Sequence, residues 1–394
     1  MVLDKNNSIY FRNVLDNLKN EHLYRQLKIL NEVSLPRSRG PGSNICNFSS
    51  NDYLGLSRNK ILIEKLRNLS LNTISQCSSR LISGNTSKLE ELEALLSNHR
   101  NSEDSLVYPT GYMANLGVIS CIADKSTEIF SDALNHASII DACKLSDAKT
   151  HVFSHNNIIE LEQKVSSSKK NKKIIITEGI FSMNGDFAKL TEISKIAEKY
   201  GCLLVVDDAH GDFVVGNKEL KNYSGTPSFF NVDKNVDIHI SSLSKGLGCF
   251  GGYVSCSKLI REFLINKSRS FIFTSALPDF LCELANSSIA LAKQGTQQEK
   301  LENNIKYFQN LAREYDIPGL AKSIHTPIIP IVIGSERKTI TISRKLQTRG
   351  FYVQGIRYPT VKKNEGQLRV SLTALHTSDQ ISDLIVNIAQ VLKR

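Results

Sequence analysis

The chain has 394 residues, of which 41% are hydrophobic and 22% are charged, and its formal net charge is +10. This length allows a large core and about two or three domains, with a composition ordinary for a globular protein. The apolar runs are too short for a transmembrane helix, and residues 1–7 lack the basic and then apolar order of a signal peptide, so we expect a cytoplasmic location.

The cysteines and the distribution of the lysines limit the metals and partners that the chain is expected to bind. The eight cysteines are scattered without a C-x-x-C pair, which argues against a disulfide framework and against zinc, so we expect no metal. The lysines are dispersed, and their densest cluster, at 169–173, follows a run of serines as a solvated loop would. We therefore expect no nucleic-acid partner and no membrane partner, although the positive charge would suit an acidic protein.

The first quarter of the chain begins with helical spacing of apolar residues over 8–32, and prolines and glycines at 36–43 end that pattern. The stretch NFSSNDYLGL follows at 47–56, and its Ser, Asn and Asp residues favour a turn on composition alone. Residues 75–86 read SQCSSRLISGNT, and a helix is predicted over 88–98.

The next segment has two features typical of ligand sites. Residues 108–115 read YPTGYMAN, a turn into a helix, and the N–H groups at a helix N-terminus can hold a phosphate. His136 lies just beyond a predicted strand, in DALNHAS at 132–138. A single histidine is more often structural than catalytic, so His136 needs further support.

An alternation of strands and helices begins at residue 174, with strands at 174–177 and 203–206 and a helix at 190–200. The second strand ends in DDAHG, which contains Asp207 and His210. The next strand, from 237, ends in SSLSKGLG and places hydroxyls and Lys245 at its end. Parallel sheets bind ligands at the carboxyl ends of their strands, so these side chains mark the candidate site.

Three kinds of site have an apolar strand that ends in aspartates. A P-loop NTPase requires a Gly-Lys dipeptide, which this chain lacks. A dinucleotide site is matched by the glycines at 246, 248 and 251, but strand residues follow where that motif needs a helix. The third is a pyridoxal 5'-phosphate (PLP) site, in which an Asp pairs with the pyridine nitrogen and a Lys binds the cofactor.

The last third of the chain reads as a smaller α+β region. Long helices are predicted over 279–316, a strand over 328–333, a helix over 338–349, and strands over 351–353 and 368–372. We predict an N-terminal helix and arm over 1–50, a large cofactor-binding domain over 51–280, and a small C-terminal domain over 281–394.

Six of these blocks together resemble the α-oxoamine synthases, a family of fold-type I PLP enzymes, and the resemblance covers about residues 10 to 390. It implies an aspartate aminotransferase-like α/β fold with a large, mostly parallel sheet and a smaller C-terminal α+β domain. The loop TEGIFSMNGD at 177–186 has Asn184 where the family usually has Asp, and residues 76–79 replace a glycine-rich stretch. The replacement of the glycine-rich stretch bears on the width of the entrance for the acyl substrate, and not on the class of reaction.

The resemblance assigns roles residue by residue. Lys245 would bind PLP and act as the base, Asp207 would keep the pyridine nitrogen protonated, His210 would hydrogen-bond the phenolic oxygen, and His136 would stack on the ring. The implied cofactor contacts are Gly111, Tyr112, His136, Ser182, Asp207, His210, Ser242, Lys245 and Thr274. The implied substrate contacts are Arg25 for the acyl group, Asn51, Thr360, and Arg369 for the carboxylate, which suits a planar bidentate donor.

The implied reaction is the decarboxylative condensation of an amino acid with an acyl thioester. The sequence at 49–57 resembles the family members that condense L-alanine with a pimeloyl thioester. Glycine with acetyl-CoA is the alternative substrate pair. A non-catalytic partner subunit with this fold is a third reading, against which the presence of Lys245 argues. The family implies a homodimer with shared active sites, in which Thr274 and the loop 75–80 cross between subunits. The acyl donor is a CoA thioester or an acidic acyl carrier protein.

Overall fold

The computed structural model of the chain describes residues 5–27, 45–70, 73–217, 219, 222–321 and 324–393. It divides into two compact units. The larger consists of Asn51–Ser182 and Asp186–Lys300, and the smaller of Met1–Ser50, Met183–Gly185 and Leu301–Arg394. None of the described helices is both long and apolar enough to cross a membrane.

The strands and helices alternate along most of the chain. The strands are β1 Cys46–Asn47, β2 Asp104–Tyr108, β3 Thr127–Asp132, β4 Lys149–Phe153, β5 Lys172–Glu178, β6 Leu203–Asp207, β7 Ile238–Ser242, β8 Gly252–Cys256, β9 Ile328–Gly334, β10 Phe351–Tyr352, β11 Gln354–Ile356 and β12 Gly366–Ser371. The α-helices are α1 Lys5–Asn20, α2 Lys60–Arg67, α3 Ser87–Arg100, α4 Gly111–Ile122, α5 Ala137–Leu145, α6 Ile158–Ser167, α7 Leu190–Lys199, α8 Gly225–Phe229, α9 Lys258–Lys267, α10 Arg269–Ile272, α11 Asp279–Ala292, α12 Thr296–Glu314, α13 Glu336–Thr348 and α14 Ser378–Leu392.

The larger unit is built on a seven-stranded sheet in the order β2-β8-β7-β6-β5-β3-β4. Neighbouring strands from β7 to β4 are parallel, whereas β8 is antiparallel to both β2 and β7. The carboxyl ends of β3, β5, β6 and β7 therefore lie at one edge of the sheet, where open α/β sheets place their ligand sites.

The central strands β5 and β6 contain the continuous apolar runs at 174–176 and 203–206 because both faces of the sheet are covered. In β5, Ile174 and Ile176 pack into a core with α4, α5, α9 and α10, while Ile175 packs into the opposite core with α6 and α7. Val205 and Val206 divide between the same two cores in β6. The alternation places the next residues of the first face, Glu178 and Asp207, on the side of α4 and α5.

The smaller unit contains a three-stranded antiparallel sheet in the order β11-β12-β9, and a separate parallel pair of β1 with β10. Pro330 lies in β9, an edge strand, where the missing N–H leaves no ladder bond unmade. Helices α13 and α14 contribute buried aliphatic side chains such as Ile342, Leu346 and Ile385. This unit presents β12, with Arg369, as its central strand.

The structure differs from the sequence-based prediction in two elements. The helix predicted over 8–32 ends at Asn20, because His22 adopts a left-handed φ of 58° and Leu23 N–H bonds back to Leu18 C=O at 2.7 Å, which closes the helix end. Residues 28–32 and the loop predicted over 36–43 lie outside the described residues. The strand predicted over 351–353 is divided between β10 and β11, which pair with different partners.

Candidate active site

Three adjacent strands end in the polar side chains that form the centre of the candidate site. In the parallel register Glu178 of β5 is opposite Asp207 of β6, and Asp207 is opposite Ile240 of β7. Ser242 is the last residue of β7, and Lys245 follows it in a turn. The register therefore brings a pair of carboxylates and the turn that carries the lysine to one edge of the sheet.

Asp207 is only 6% exposed, and neutral donors hold its carboxylate. Asn115 of α4 donates to Oδ2 at 2.6 Å, and the backbone N–H of Ala209 donates to Oδ1 at 3.1 Å. Asn115 also donates to Ser138 Oγ at 2.9 Å, and Ser138 Oγ lies 2.7 Å from Nδ1 of His136. One chain of hydrogen bonds thus joins Asp207, Asn115, Ser138 and His136.

Lys245 belongs to a second chain of hydrogen bonds. Its Nζ lies 2.9 Å from Nε2 of His210, and Nδ1 of His210 lies 2.7 Å from the hydroxyl of Tyr53. Tyr53, which is fully buried, donates to Oδ1 of Asn51 at 3.2 Å. The Tyr53 oxygen then accepts from Nδ1–H of His210, and the lone pair of Nε2 is directed at Lys245.

The charges of this cluster act on one another. Burial and the negative charge of Asp207 raise the pKa of Glu178 well above its usual range, with Lys245 opposing the shift. Burial beside a second carboxylate therefore favours the protonated form of Glu178. Burial lowers the pKa of His136 and the charge of Lys245 lowers it further, while the charge of Asp207 opposes the shift. The imidazole ring is therefore neutral at pH 7, although part of it is exposed.

The N-terminus of α4 lies against the end of β7. Thr110 caps the helix by accepting from Met113 N–H at 3.1 Å. A Cβ at Gly111 would lie 3.2 Å from the Cβ of Ser242, and one at Gly252 would lie 2.4 Å from the nitrogen of Gly111. The two glycines permit this close approach, which places backbone N–H groups and the Ser242 hydroxyl side by side, as an anion site requires.

The other predicted cofactor contacts of the larger unit lie on three different elements. Tyr112, in the first turn of α4, is 44% exposed and donates to Asp141 Oδ2 at 2.6 Å. Ser182 is buried in the loop after β5, and its N–H donates to Glu178 Oε2 at 3.1 Å. Thr274 is half-buried just after α10.

The loop that replaces the family's glycine-rich stretch packs beside the segment that contains Thr274. The amide of Gln76 donates to Asp279 Oδ1 at 2.8 Å, and Ala276 N–H donates to the carbonyl of Ser78 at 2.9 Å. Cys77 is exposed and has a φ of 51°. The altered residues therefore fix this loop to the chain around 276–279, so the two segments predicted to cross between subunits are neighbours.

The three remaining predicted substrate contacts lie in the smaller unit. Arg25 and Thr360 line one cavity of about 670 Å³. Arg369 is buried at the centre of β12, and its Nη1 donates to Ser371 Oγ at 2.7 Å.

A buried group of charges supports the turn after β6 and was not predicted from the sequence. Arg100, at the end of α3, pairs through Nη1 with Asp208 Oδ2 at 3.2 Å and through Nη2 with Asp212 Oδ1 at 3.1 Å. His99 lies 2.9 Å from Asp212 Oδ1, and Tyr253 donates to the same carboxylate. The pKa of Asp208 is raised by burial to about 7, whereas Arg100 and His99 outweigh burial at Asp212 and lower its pKa to about 2.

The carboxylate of Asp208 also requires space. A side-chain carbon at Gly179, Gly211 or Gly225 would overlap its oxygens. Thr226 donates to it through both N–H, at 2.9 Å, and Oγ1, at 2.7 Å. The backbone therefore approaches the Asp208 carboxylate closely at three separate positions of the chain.

His155 joins two strands and the loop that contains Ser182. Its Nδ1 lies 3.0 Å from Asp132 Oδ1, and its Nε2 lies 2.7 Å from Asp186 Oδ2. Burial would lower the pKa of His155, but the two carboxylates outweigh burial and raise it to about 9. His155 is therefore a cation at neutral pH. No cluster of side chains suited to a metal ion occurs among the described residues.

Comparisons with known proteins agree with this geometry. The family model described as aminotransferase class I and II matches residues 43–388. The 8-amino-7-oxononanoate synthase of Thermoanaerobacter pseudethanolicus is 39% identical over 380 residues, which are 94% of this chain and 94% of that protein.

Solved structures give the same result. The 8-amino-7-oxononanoate synthase of Francisella tularensis has a TM-score of 0.74 at 29% identity, over 89% of this chain and 98% of that one. A serine palmitoyltransferase with PLP as an internal aldimine has a TM-score of 0.84 at 26% identity, over 89% of this chain and 87% of that one.

Proposed function

Since the chain belongs to the aminotransferase class I and II family, we propose that it is a PLP-dependent acyltransferase that condenses L-alanine with a pimeloyl thioester. The products would be 8-amino-7-oxononanoate, carbon dioxide and the free thiol, which is a step of biotin biosynthesis. The family membership confirms the resemblance to the α-oxoamine synthases and the fold class predicted from the sequence. The observation that carries the proposal is the convergence of Lys245, His210 and Asp207 at the ends of neighbouring strands.

The residues of the larger unit fit PLP. Asp207 is a buried carboxylate held by neutral donors, and a protonated pyridine nitrogen would supply the positive partner that such a carboxylate needs. The helix N-terminus at Gly111 and the hydroxyl of Ser242 suit its phosphate. The buried Oδ1 of Asn115 and Oε1 of Glu178 have no hydrogen-bond partner within the described residues. Two oxygen atoms at the site can therefore still form hydrogen bonds to a cofactor.

When bound, PLP supplies a ring that accepts electrons from the α carbon of an amino acid. We assign Lys245 to the covalent link and to moving the proton at that carbon. His210 accepts a hydrogen bond from Lys245 and so keeps a nitrogen lone pair directed at the atom that exchanges the proton. Asp207 holds the proton on the pyridine nitrogen, and the neutral ring of His136 offers a flat apolar face for stacking.

We assign the remaining predicted residues to contacts with the cofactor and substrates. Tyr112 and Ser182 would contact the cofactor, and Thr274 would contact the phosphate held by a second subunit. Arg369 would bind the carboxylate of the amino acid, for which its planar guanidinium is suited, and Asn51 and Thr360 would position that substrate. Arg25 would meet the far carboxylate or ester end of the acyl chain.

We propose a homodimer with shared sites. Ile74, Ile82 and Phe273 are 76%, 82% and 71% exposed, and in the sequence all three are next to or near the two segments predicted to cross, where burial of exposed apolar side chains would favour an interface. Mixing Lys245→Ala with Thr274→Ala subunits tests the idea, because one site of each hybrid dimer would then be intact. Activity above the mean of the two parents supports sharing, and activity no higher than that mean contradicts it.

All eight cysteines are free thiols, which supports action in a reducing compartment such as the cytoplasm. The experiment that tests the reaction offers L-alanine, glycine and L-serine against acetyl-CoA, pimeloyl-CoA and a pimeloyl carrier protein, with products identified by mass. Preference for L-alanine with a pimeloyl donor is the expected result. Preference for glycine with acetyl-CoA would make the chain a glycine C-acetyltransferase, and turnover of no thioester would contradict the proposal.

A further inference from the structure

The ring of His136 is held at one nitrogen by a single residue. His136 caps α5, and its Nδ1 accepts a hydrogen bond from the backbone N–H of Ser138 at 3.2 Å. The hydroxyl oxygen of Ser138 lies 2.7 Å from the same nitrogen. Within the described part of the chain, the ring of His136 has no other hydrogen-bond partner. Both contacts therefore meet at Nδ1 and leave Nε2 available.

The backbone contact decides where the proton of this imidazole lies. A backbone N–H can only donate, so Nδ1 must present its lone pair to Ser138. A neutral imidazole has one proton, and that proton then lies on Nε2. Because Nδ1 is an acceptor, the hydroxyl of Ser138 donates to it as well. Ser138 thus supplies two donors to one nitrogen of His136, and both favour the same tautomer.

The direction of the Ser138 hydroxyl is set from its other side. The amide of Asn115 donates to Ser138 Oγ at 2.9 Å and to Asp207 Oδ2 at 2.6 Å. Turning this amide round would place its carbonyl oxygen against the carboxylate, and the two acceptors would repel each other. Ser138 Oγ therefore accepts from Asn115, and its own proton remains for His136.

This chain of hydrogen bonds is enclosed by protein. Asn115 belongs to α4 and Ser138 to α5, and the two helices pack against each other. Ser138 is 0% exposed and Asn115 is 2% exposed. A hydrogen bond left unmade at such a depth costs more than one at the surface, because water does not replace the lost partner. The directions of the donors are therefore strongly enforced.

We propose that Ser138 is a positioning residue that fixes the ring orientation and the Nε2–H tautomer of His136. Asn115 and Asp207 set the direction of its hydroxyl. The inference rests on the proposed function, in which His136 stacks on the cofactor ring. In this tautomer Nε2 can donate a hydrogen bond to an oxygen atom, but it cannot remove a proton from carbon. His136 is thereby excluded as the base, and that role is left to Lys245.

Nitrogen NMR of the purified holoenzyme, labelled with ¹⁵N in its nine histidines, tests the proposal, because the chemical shifts of Nδ1 and Nε2 distinguish the two tautomers. His136→Asn identifies the signals of His136 by their loss. In wild type the proton should lie on Nε2. In Ser138→Ala the signals should move toward a mixture of tautomers, and kcat should fall about tenfold with a smaller change in the KM for the amino acid.

The pKa of His136, measured in the same spectra, is a readout that a merely structural role would not move. A donor at Nδ1 favours the neutral ring, so its loss in Ser138→Ala should raise this pKa and move the acid limb of the pH profile of kcat upward. The titratable groups around His136 are Asp141, Glu178, Asp207 and Lys245. The substitution leaves all four in place. An unchanged tautomer and pKa in Ser138→Ala, or a proton on Nδ1 in wild type, would overturn the proposal.

Ser105→Ala is the matched control. Ser105 is also fully buried, and its hydroxyl lies 2.6 Å from that of Ser255, between β2 and β8. The tautomer of His136 and kcat should equal wild type in this variant. Ser138→Cys keeps a side chain of similar size with a weaker donor, so the pKa of His136 should lie between its values in wild type and in Ser138→Ala. Equal shifts in Ser138→Ala and Ser105→Ala would refute the proposal.

A double-mutant cycle tests the part assigned to Asn115. Ser138→Ala should change the tautomer of His136 less in an Asn115→Ala background than in wild type, since the hydroxyl no longer has a fixed direction there. Equal changes in the two backgrounds would contradict the role of Asn115.

The NMR measurement does not depend on turnover. If wild type turns over no thioester, the proposed function fails. The tautomer of His136 still decides the positioning role in that case. A shift toward a mixture in Ser138→Ala would support it, and an unchanged tautomer would refute it.

Discussion

The hydroxyl of Tyr53 lies 2.7 Å from Nδ1 of His210, on the side of the imidazole opposite to Lys245. A neutral imidazole has one proton, so the partner of one nitrogen decides what the other can do. Because Tyr53 donates to Asn51, its oxygen accepts the proton of Nδ1. The tautomer of His210 that can accept from Lys245 is therefore selected by a tyrosine in the motif at 47–56.

Tyr53→Phe should lower kcat about tenfold, because the tautomer that accepts from Lys245 is no longer favoured. The KM for the amino acid should change less, and the pH profile of kcat should shift. Tyr307→Phe, which removes a hydroxyl bonded to Ser382 at 2.7 Å, is the control for loss of a tyrosine hydroxyl. An unchanged kcat and pH profile in Tyr53→Phe would show that the tyrosine has no part in the chemistry.

Asn115→Asp should destabilise the protein at pH 7, because it places a second carboxylate where Asn115 now donates to Asp207 at 2.6 Å. The pair would share one proton, and the raised folded-state pKa makes stability recover as pH falls toward about 5. Asn115→Ala loses the same hydrogen bond without adding charge and should show no such recovery. Denaturation midpoints of both variants across pH measure this, and parallel pH profiles would count against the charge argument.

Asp207→Asn should leave the fold intact and lower the rate by about two or three orders of magnitude, because the charge on the pyridine nitrogen's partner is lost. Asp208→Asn is the neighbouring control, and it should cost stability through the Arg100 cluster while leaving turnover at low temperature close to wild type. Turnover of Asp207→Asn within about threefold of wild type would refute the assignment of the pyridine contact.

His155→Gln should destabilise the protein at neutral pH by roughly 2 kcal/mol, because the folded-state pKa of His155 is raised to about 9 by Asp132 and Asp186 against the opposing effect of burial. A raised pKa stabilises the folded state fully below the unfolded value of about 6.5. The contribution disappears as pH rises through about 9. The wild-type advantage in thermal denaturation should therefore shrink between pH 6.5 and 9, and a constant difference would contradict the pairing.

Arg100→Met should reduce the free energy of unfolding by about 3–5 kcal/mol, because it leaves Asp208 and Asp212 buried without their cation. Arg261→Met is the control, since Arg261 is partly exposed and its partner Glu93 keeps Arg80. That variant should lose about 1 kcal/mol or less. Urea denaturation measures the free energy of unfolding of both variants. Equal decreases would show that the buried ion pairs of Arg100 contribute no more to stability than the partly exposed ones of Arg261.

Local sequence pattern predicted β5 and β6 because both of their faces are covered, so each contains a short, continuous apolar run. Once those strands are adjacent and parallel, the polar residues at their ends must lie together. Asp207, His210 and Lys245 could therefore be grouped from the sequence without a three-dimensional structure.

The partners of these residues could not be predicted in the same way. Tyr53 and Asn115 reach His210 and Asp207 from 157 and 92 residues away. Hydrophobic periodicity indicates which face of an element is buried, but not which distant side chain meets it. The end of α1 was also missed, because the apolar spacing continues to Leu23 and Leu27 although the backbone turns left-handed at His22.

The crowding around Asp208 has a consequence for how this sequence can change. Alanine at Gly179, Gly211 or Gly225 would overlap the carboxylate, so each of these positions is closed to substitution while Asp208 is present. A smaller residue at 208 would leave Arg100 without one of its anions, and a Cβ at Gly179 or Gly211 would still lie 2.1 or 2.8 Å from the side chain of Thr226. Asp208 and its neighbours together therefore restrict all three positions to glycine, so no single replacement at 208 would make room for a side chain at any of them.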